Sequence, residues 1–310
     1  MSTLRGILWN VRKNTAQAVG ALSSYLEKME VDVLFIVEDG GVPLDESSNS
    51  WDLIIDPKKF DGNFDGNNKL SVYRKVNSYN LKEGMLHRKV VKPFHNRAGF
   101  RVLCLTYGTE YLIFLVHLPS QLNDLETNFA YAIELNREIR LLEIDFFKKR
   151  PPRTIVMGDF NANVYDPLMI HPLSFNAPYA KGTFYNGDEV DSYTKVGGRL
   201  LRRDLHYPAF YNKMWSLLGV ANDDINQPQG TRNQPSKNYA NAPNKFKDDM
   251  MRKQYNFFDQ ILVRPDLIDN FVSVKVMEIP LVNRKPVSDH NPIYFVFENL
   301  VTRNDVLLSK

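Results

Sequence analysis

The sequence predicts a layered α/β fold, on three observations. Apolar runs of strand length recur along the chain. Longer stretches with helical spacing fill some of the gaps between them. Polar clusters repeatedly stand where an apolar run ends. In order, strands are predicted near residues 5–10, 32–38, 51–56, 69–74, 99–106, 111–117, 153–158, 257–263, 272–278 and 293–298. The first, Gly6-Ile7-Leu8-Trp9-Asn10, is an apolar run closed by an amide. A helix follows over 16–29, where Val19, Leu22, Leu26 and Met29 recur at helical spacing. The next strand, Asp32-Val33-Leu34-Phe35-Ile36-Val37, closes on Glu38. The strongest apolar run, Tyr111-Leu112-Ile113-Phe114-Leu115-Val116, closes on His117. A second helix is predicted over 125–149 from Phe129, Ile133, Asn136, Ile139, Leu142 and Phe146, and Pro151-Pro152 stops it. Thr154-Ile155-Val156-Met157 then runs into Gly158-Asp159-Phe160-Asn161, and the last strand, from Ile293, emerges from Ser288-Asp289-His290-Asn291-Pro292.

Length and composition set the outer limits. The 310 residues are 43% hydrophobic and 12% aromatic, enough to bury a large core, and they read as one domain over 1–310 with a loop-rich insert at about 164–255. Within that insert, 222–252 is rich in Asn, Gln, Pro and charge and poor in large aliphatics. Residues 56–68 read as a turn-rich loop, not a calcium loop, since no Glu stands at the required end. Cys104 is the only cysteine, so an intrachain disulfide is excluded, and it reads as strand core. The net charge of +3 names no partner but is compatible with an anionic substrate. No apolar run reaches the roughly 18 residues of a membrane span, so the expectation is a soluble, cytoplasmic protein without a membrane anchor.

The residues that close the strands carry the chemistry. Carboxylates at strand ends are where catalytic groups project in sheet-centred folds, although Glu38 alone reads more readily as a surface loop residue. Asn10 either caps the following helix or donates oxygen to a metal. His117 and His290 are the two of six histidines placed at strand mouths; His87, His95, His171 and His206 read as loop or strand-face residues. Asp259 interrupts the apolar strand Phe257-Phe258-Asp259-Gln260-Ile261 and needs a partner, for which a histidine is the useful choice. Asp159 and His290 are expected at a solvent-facing rim. Oxygen ligands without clustered Cys or His favour magnesium or manganese over zinc, and a phosphate ester is the substrate such a site serves best. A Gly-x-Ser-x-Gly elbow, a P-loop, a dinucleotide glycine motif and a catalytic cysteine setting are all absent.

Taken in order, Trp9-Asn10, Glu38, His117-Leu118-Pro119-Ser120, Gly158-Asp159-Phe160-Asn161, Phe258-Asp259 and Ser288-Asp289-His290 resemble the endonuclease/exonuclease/phosphatase superfamily of metal-dependent phosphoesterases. The resemblance implies a four-layer α/β/β/α sandwich of two packed mixed sheets flanked by helices, with the site at one rim. It implies Glu38 as principal metal ligand, with Asn10 and Asp289 supporting it. Asp159 would orient or deprotonate water, Asn161 would hold the phosphate or water, and His290, oriented by Asp259, would contact the phosphate or act as base. His117 would serve as proton donor to the leaving oxygen or as an electrophile. Arg97 resembles a phosphate-facing residue of some relatives, against an ordinary surface arginine. The chain departs from better-known branches in having Val37-Glu38-Asp39 where many relatives have Gln-Glu. Tyr211-Asn212-Lys213-Met214-Trp215, with Gly230-Thr231, resembles a poorly characterised bacterial branch.

The substrate is left to one local signal. Residues 195–213 hold Lys195, Arg199, Arg202, Arg203 and Lys213 against the single acid Asp204, interleaved with Tyr207, Phe210 and Tyr211. That pattern suits a nucleic-acid strand and favours a nuclease, with a solvated loop on an aromatic anchor as the plain alternative. Two other outcomes stay open: a phosphatase or phosphodiesterase for small-molecule or lipid-headgroup esters, and a non-catalytic binding member of the fold.

Overall fold

Both faces of the first predicted strand are apolar, and the computed structural model buries both. It describes residues 3–12, 15–39, 51–55, 70–75, 80–83, 99–107, 109–119, 125–148, 151–177, 193–196, 199–202, 209–217, 257–278, 281–282 and 285–300. The elements are β1 (Thr3–Asn10), α1 (Thr15–Lys28), β2 (Val33–Val37), β3 (Trp51–Ile55), β4 (Leu70–Lys75), β5 (Asn80–Glu83), β6 (Gly99–Tyr107) and β7 (Thr109–His117). There follow α2 (Leu125–Phe147), β8 (Thr154–Asp159), α3 (Pro167–Ile170), β9 (Tyr193–Val196), β10 (Arg199–Arg202), β11 (Tyr211–Asn212), β12 (Asp259–Val263), β13 (Phe271–Val276), β14 (Leu281–Val282), β15 (Lys285–Pro286) and β16 (Ile293–Glu298). All ten predicted strands are present. The strands missed are short: β5, β9, β10, β11, β14 and β15 have two to four residues each, too few to show a period.

Two six-stranded mixed sheets result, ordered β13-β16-β1-β2-β4-β3 and β11-β12-β8-β7-β6-β5. Each has one parallel pair at its centre, β1 with β2 and β7 with β8, and antiparallel neighbours outside it. Period-two alternation divides the side chains into three apolar layers. Leu4, Leu8, Val33, Phe35, Val37, Phe295 and Phe297 of the first sheet meet Tyr111, Ile113, Leu115, Ile155, Met157, Ile261 and Val263 of the second. Ile7, Trp9, Leu34 and Ile36 face outward onto Ala18, Leu22 and Leu26 of α1. Leu112, Phe114, Val116 and Val156 face outward onto Ala132, Leu135 and Ile139 of α2. This is the α/β/β/α sandwich. Each fully buried aliphatic or Phe side chain contributes about 1.5–3 kcal/mol to holding the layers together. Among the described residues, no helix is long and apolar enough to cross a membrane.

The central pair β7 and β8 packs so closely that a Cβ on Gly158 would lie 1.9 Å from the Val116 carbonyl oxygen, and Gly158 has φ 145°. Only glycine fits there. It sits directly before Asp159, so the close approach also sets where that carboxylate emerges.

The buried face of α2 differs from the predicted one. Asn136 and Ile139 are buried as expected, but Ala132, Leu135, Glu143 and Phe147 are buried too, while Phe129, Ile133, Leu142 and Phe146 are only partly so; Glu143 turns inward to Arg264. Both nitrogen–oxygen contacts of this pair are 2.8 Å, Arg264 is 0% exposed, and its guanidinium lies 3.6 Å from the Phe210 ring centroid. Asn136 donates to the Ser174 carbonyl. Lys148, with φ 56°, ends the helix in a left-handed turn ahead of the two prolines.

Removing one member of a buried ion pair strands the other charge, at a cost of about 3–5 kcal/mol. Glu143→Ala is therefore expected to lower Tm clearly, and Glu143→Leu combined with Arg264→Met to restore most of the loss; differential scanning calorimetry on the three proteins checks both.

Candidate active site

Strand register brings the polar strand ends into one cluster. His117 of β7 lies opposite Asp159 of β8, and Asp159 opposite Asp259 of β12, so three adjacent strands present side chains on one row. In the other sheet Asn10 of β1 lies opposite Val37 of β2, which places Glu38 beside it, and Ile293 of β16 lies opposite Leu8, which brings the 288–291 segment alongside. The C-terminal ends of β1, β2, β7 and β8 thus meet the N-terminal ends of β12 and β16. Three residues just past these ends, Arg12, Glu38 and Asn161, have φ of 49°, 54° and 49°. Such left-handed backbone at non-glycine residues is held by its surroundings and concentrates at functional sites.

Asp159 is the hub, 1% exposed. Its Oδ1 accepts the Asn161 backbone N–H at 2.8 Å, and its Oδ2 accepts from Asn10 Nδ2 at 2.9 Å. His117 Nε2 stands 4.0 Å and His290 Nε2 3.9 Å from the same Oδ2. Glu38 Oε1 accepts from Asn10 Nδ2 at 3.1 Å and lies 3.7 Å from His117 Nε2. His290 Nδ1 pairs with Asp259 Oδ2 at 2.7 Å, which meets the expectation that the buried carboxylate takes a histidine partner. The His290 backbone is fixed by Trp9 Nε1 donating to its carbonyl at 2.7 Å and by its own N–H donating to Ser288 Oγ. Ser288 Oγ in turn donates to the Asn10 carbonyl.

Several expectations are modified. The Asn10 amide nitrogen, not its oxygen, faces the carboxylates, because Oδ1 accepts the Arg12 N–H at 3.0 Å. Asp289 pairs with Arg12 at 3.2 Å, an exposed residue that sequence reasoning missed because one arginine after a strand carries no pattern. Asp159 and His290 are buried rather than at a solvent-facing rim, since both sheets and the 288–291 segment close around them. Asn161 spends one amide hydrogen on the Leu118 carbonyl. Phe210 and Tyr211 are core residues, and Lys213 is bound to the Phe271 and Val272 carbonyls, so this end of the basic stretch offers no stacking surface. Asn212 instead bonds Gln260, which bonds the Ala162 carbonyl and buttresses the loop after Asp159. Arg199 and Arg202 fall on the β9–β10 hairpin, with side chains outside the described residues. Arg97, Arg203, Tyr207, His87, His95, His206, the 56–68 loop and the 222–252 segment also lie outside them, as does the Cys104 side chain. His171 packs edge-on against Phe129, as a loop residue should.

Among the described residues, two groups bring every ligand atom within 4.8 Å of the others: Glu38, His117 and Asp159, and Asp159, Asp259 and His290. Carboxylate oxygens with imidazole nitrogen form a donor set that fits a divalent cation. The local charge agrees. Glu38, Asp159, Asp259 and Asp289 stand around the two imidazoles, and a bound dication would offset repulsion among them.

Burial by itself would lower the His290 pKa, but the Asp259 carboxylate, by charge and hydrogen bond, and then Asp159 and Asp289 outweigh it and raise the value from 6.5 to about 9. The imidazole is therefore protonated at neutral pH in the metal-free protein. Because the folded value lies above the unfolded one, its stabilisation is complete below about pH 6.5 and is lost as pH rises through about 9. In EDTA, the Tm difference between the wild type and His290→Gln is expected to shrink across that interval; a gap unchanged up to about pH 10 would contradict the pairing.

Comparison with known proteins agrees with this geometry. The model of the Endonuclease/Exonuclease/phosphatase family matches residues 7–290. No curated protein matches the chain. Among solved structures, D. rerio TDP2 complexed with single-strand DNA product is 18% identical, with a TM-score of 0.50 and coverage of 96% of this chain and 100% of that one. An endonuclease/exonuclease/phosphatase family protein from Bacteroides thetaiotaomicron is 13% identical, with a TM-score of 0.52 and 96% coverage of each chain. The human Nocturnin catalytic domain is 12% identical, with a TM-score of 0.51 and coverage of 96% and 95%. At these identities the structures speak for the shared fold, while the family match spans the polar cluster from β1 to His290: the chain belongs to the endonuclease/exonuclease/phosphatase family of phosphoesterases.

Proposed function

We propose that this phosphoesterase is a divalent-cation-dependent phosphodiesterase that hydrolyses nucleic acid by in-line attack of water. The observation that carries the reading is the Asp159 carboxylate, flanked by two imidazoles at 4.0 and 3.9 Å and by Glu38 across the sheets. Glu38, beside Asp159, would hold the Mg²⁺ or Mn²⁺, which when bound would neutralise nonbridging phosphate oxygens. Asn10, through its Nδ2 hydrogens, keeps Glu38 and Asp159 aligned.

Water is oriented by Asp159 Oδ2, which takes its proton as the new P–O bond forms. His290, held by Asp259, would donate from Nε2 to a phosphate oxygen. The second Asn161 amide hydrogen is aimed at the same phosphate while the first stays on Leu118. As the bridging P–O bond breaks, His117 gives its Nε2 proton to the leaving oxygen. Arg12, exposed beside Asp289, and Arg97 supply positive charge for the substrate's flanking phosphates. Arg199, Arg202 and Arg203 would follow the strand beyond the site.

Nucleic acid is favoured by the basic β9–β10 hairpin region and by the likeness to a structure holding single-strand DNA product. A small-molecule phosphate ester is the second reading, favoured by the burial of Phe210 and Tyr211, which removes two of the aromatics a strand would stack on.

Purified protein is to be assayed on plasmid DNA, single-stranded DNA, RNA and bis-p-nitrophenyl phosphate, each with Mg²⁺, Mn²⁺ or EDTA. Cation-dependent cutting of a polymer, lost by at least about a hundredfold in Asp159→Asn, is expected. Turnover of the small diester alone would transfer the assignment to small phosphate esters, and silence with every substrate would leave a binding protein. Asp259→Ala is expected to lose both activity and stability, since it leaves His290 buried without its carboxylate. An active, stable Asp259→Ala enzyme would refute the dyad.

A further inference from the structure

The residue after Glu38 is a carboxylate that the proposed chemistry does not use. Asp39 is 0% exposed. Its Oδ2 accepts hydrogen bonds from Ser71 Oγ and, at 3.0 Å, from Tyr73 OH. Ser71 and Tyr73 are two apart on β4, so they present to the same face, and Tyr73 belongs to the apolar layer beneath α1. β4 itself pairs with β2, with Leu70 opposite Val37. The chain leaving β2 is therefore pinned on both sides of Glu38. Val37 is fixed by the ladder to Asn10 and Leu70, and Asp39 is fixed by two hydroxyls of the neighbouring strand. Glu38 between them has φ 54°, which a glutamate does not adopt by its own preference.

We propose that Asp39 is the positioning residue for Glu38. Its bonds to Ser71 and Tyr73 hold the turn after β2 in the left-handed conformation that points the Glu38 carboxylate at Asn10 and His117. This rests on the reading of Glu38 as the cation ligand. Without the anchor, Glu38 relaxes toward extended backbone, and its carboxylate swings away from Asn10. The effect is on cation binding and runs through the oxygen that accepts both hydroxyls. An asparagine can supply that oxygen.

The test is calorimetric titration of the purified full-length chain with Mn²⁺ at neutral pH, well below Tm. Asp39→Ala is expected to bind about tenfold or more weakly, as supports of metal ligands do. Asp39→Asn is expected to stay within about threefold of the wild type, and the Ser71→Ala/Tyr73→Phe double variant to match Asp39→Ala. Ile139→Ala, a cavity under α2 away from Glu38, is expected to lower Tm while leaving Mn²⁺ affinity unchanged. Wild-type affinity in Asp39→Ala would overturn the proposal, and so would an Asp39→Asn loss as large as that of alanine. If the wild type itself shows no saturable Mn²⁺ binding, or if Glu38→Gln binds as well as the wild type, the cation reading of Glu38 fails and this inference falls with it.

Discussion

Asp159 is the constraint around which the rest of the site is arranged. A carboxylate buried at the junction of two sheets is stable only if its oxygens are satisfied and its charge is answered. The structure meets both needs from different directions. The Asn161 N–H comes from its own strand end, the Asn10 amide from the opposite sheet, one imidazole from the neighbouring β7 and the other from the segment that leads into β16. Each of these partners depends on register. A one-residue slip of β8 against β7 would turn Asp159 to the opposite face and break every contact. Gly158 opposes such a slip, because only a glycine tolerates the 1.9 Å approach of the Val116 carbonyl to the place of its Cβ.

The cost of such a cluster is carried by neighbours that do no chemistry. Trp9, Ser288, Gln260, Asn212 and Asn163 hold the backbones that carry the polar groups, through bonds to the carbonyls of His290, Asn10 and Ala162 and to the Phe257 N–H. Farther off, the Arg264–Glu143 pair ties α2 to the end of β12, the strand that begins with Asp259. Left-handed backbone at Arg12, Glu38 and Asn161 belongs to the same economy: three strand ends turn sharply so that their side chains converge instead of continuing along the sheets. Crowding carboxylates that favour a cation over the folded apo-protein is the usual exchange of stability for function.

Much of this was legible in the chain. The ten longer strands and both long helices follow from apolar runs and helical spacing, and each polar residue at a strand end proved to lie in or beside the cluster. Asp259 was readable as a paired carboxylate because it interrupts an apolar strand. Where reading failed, the reason is consistent. Glu143 on α2 looks like a solvated position, and only Arg264, 121 residues away, makes it a core residue. Phe210 and Tyr211 look like stacking aromatics beside basic residues until the core takes them in. Arg12 and Asp39 carry no pattern at all, and their roles exist only through Asp289 in one case and Ser71 and Tyr73 in the other.

The division is between local and long-range physics. Periodicity, strand-end polarity and the order of short motifs are properties of neighbouring residues, so the sequence by itself determined the sandwich and the family. Which carboxylate faces which imidazole, which way the Asn10 amide points, and that Asp259 pushes the His290 pKa upward were decided only by the tertiary structure. Those properties arise from charges and hydrogen bonds between residues up to 281 positions apart, brought within a few ångströms by strand register, where burial strengthens every electrostatic term.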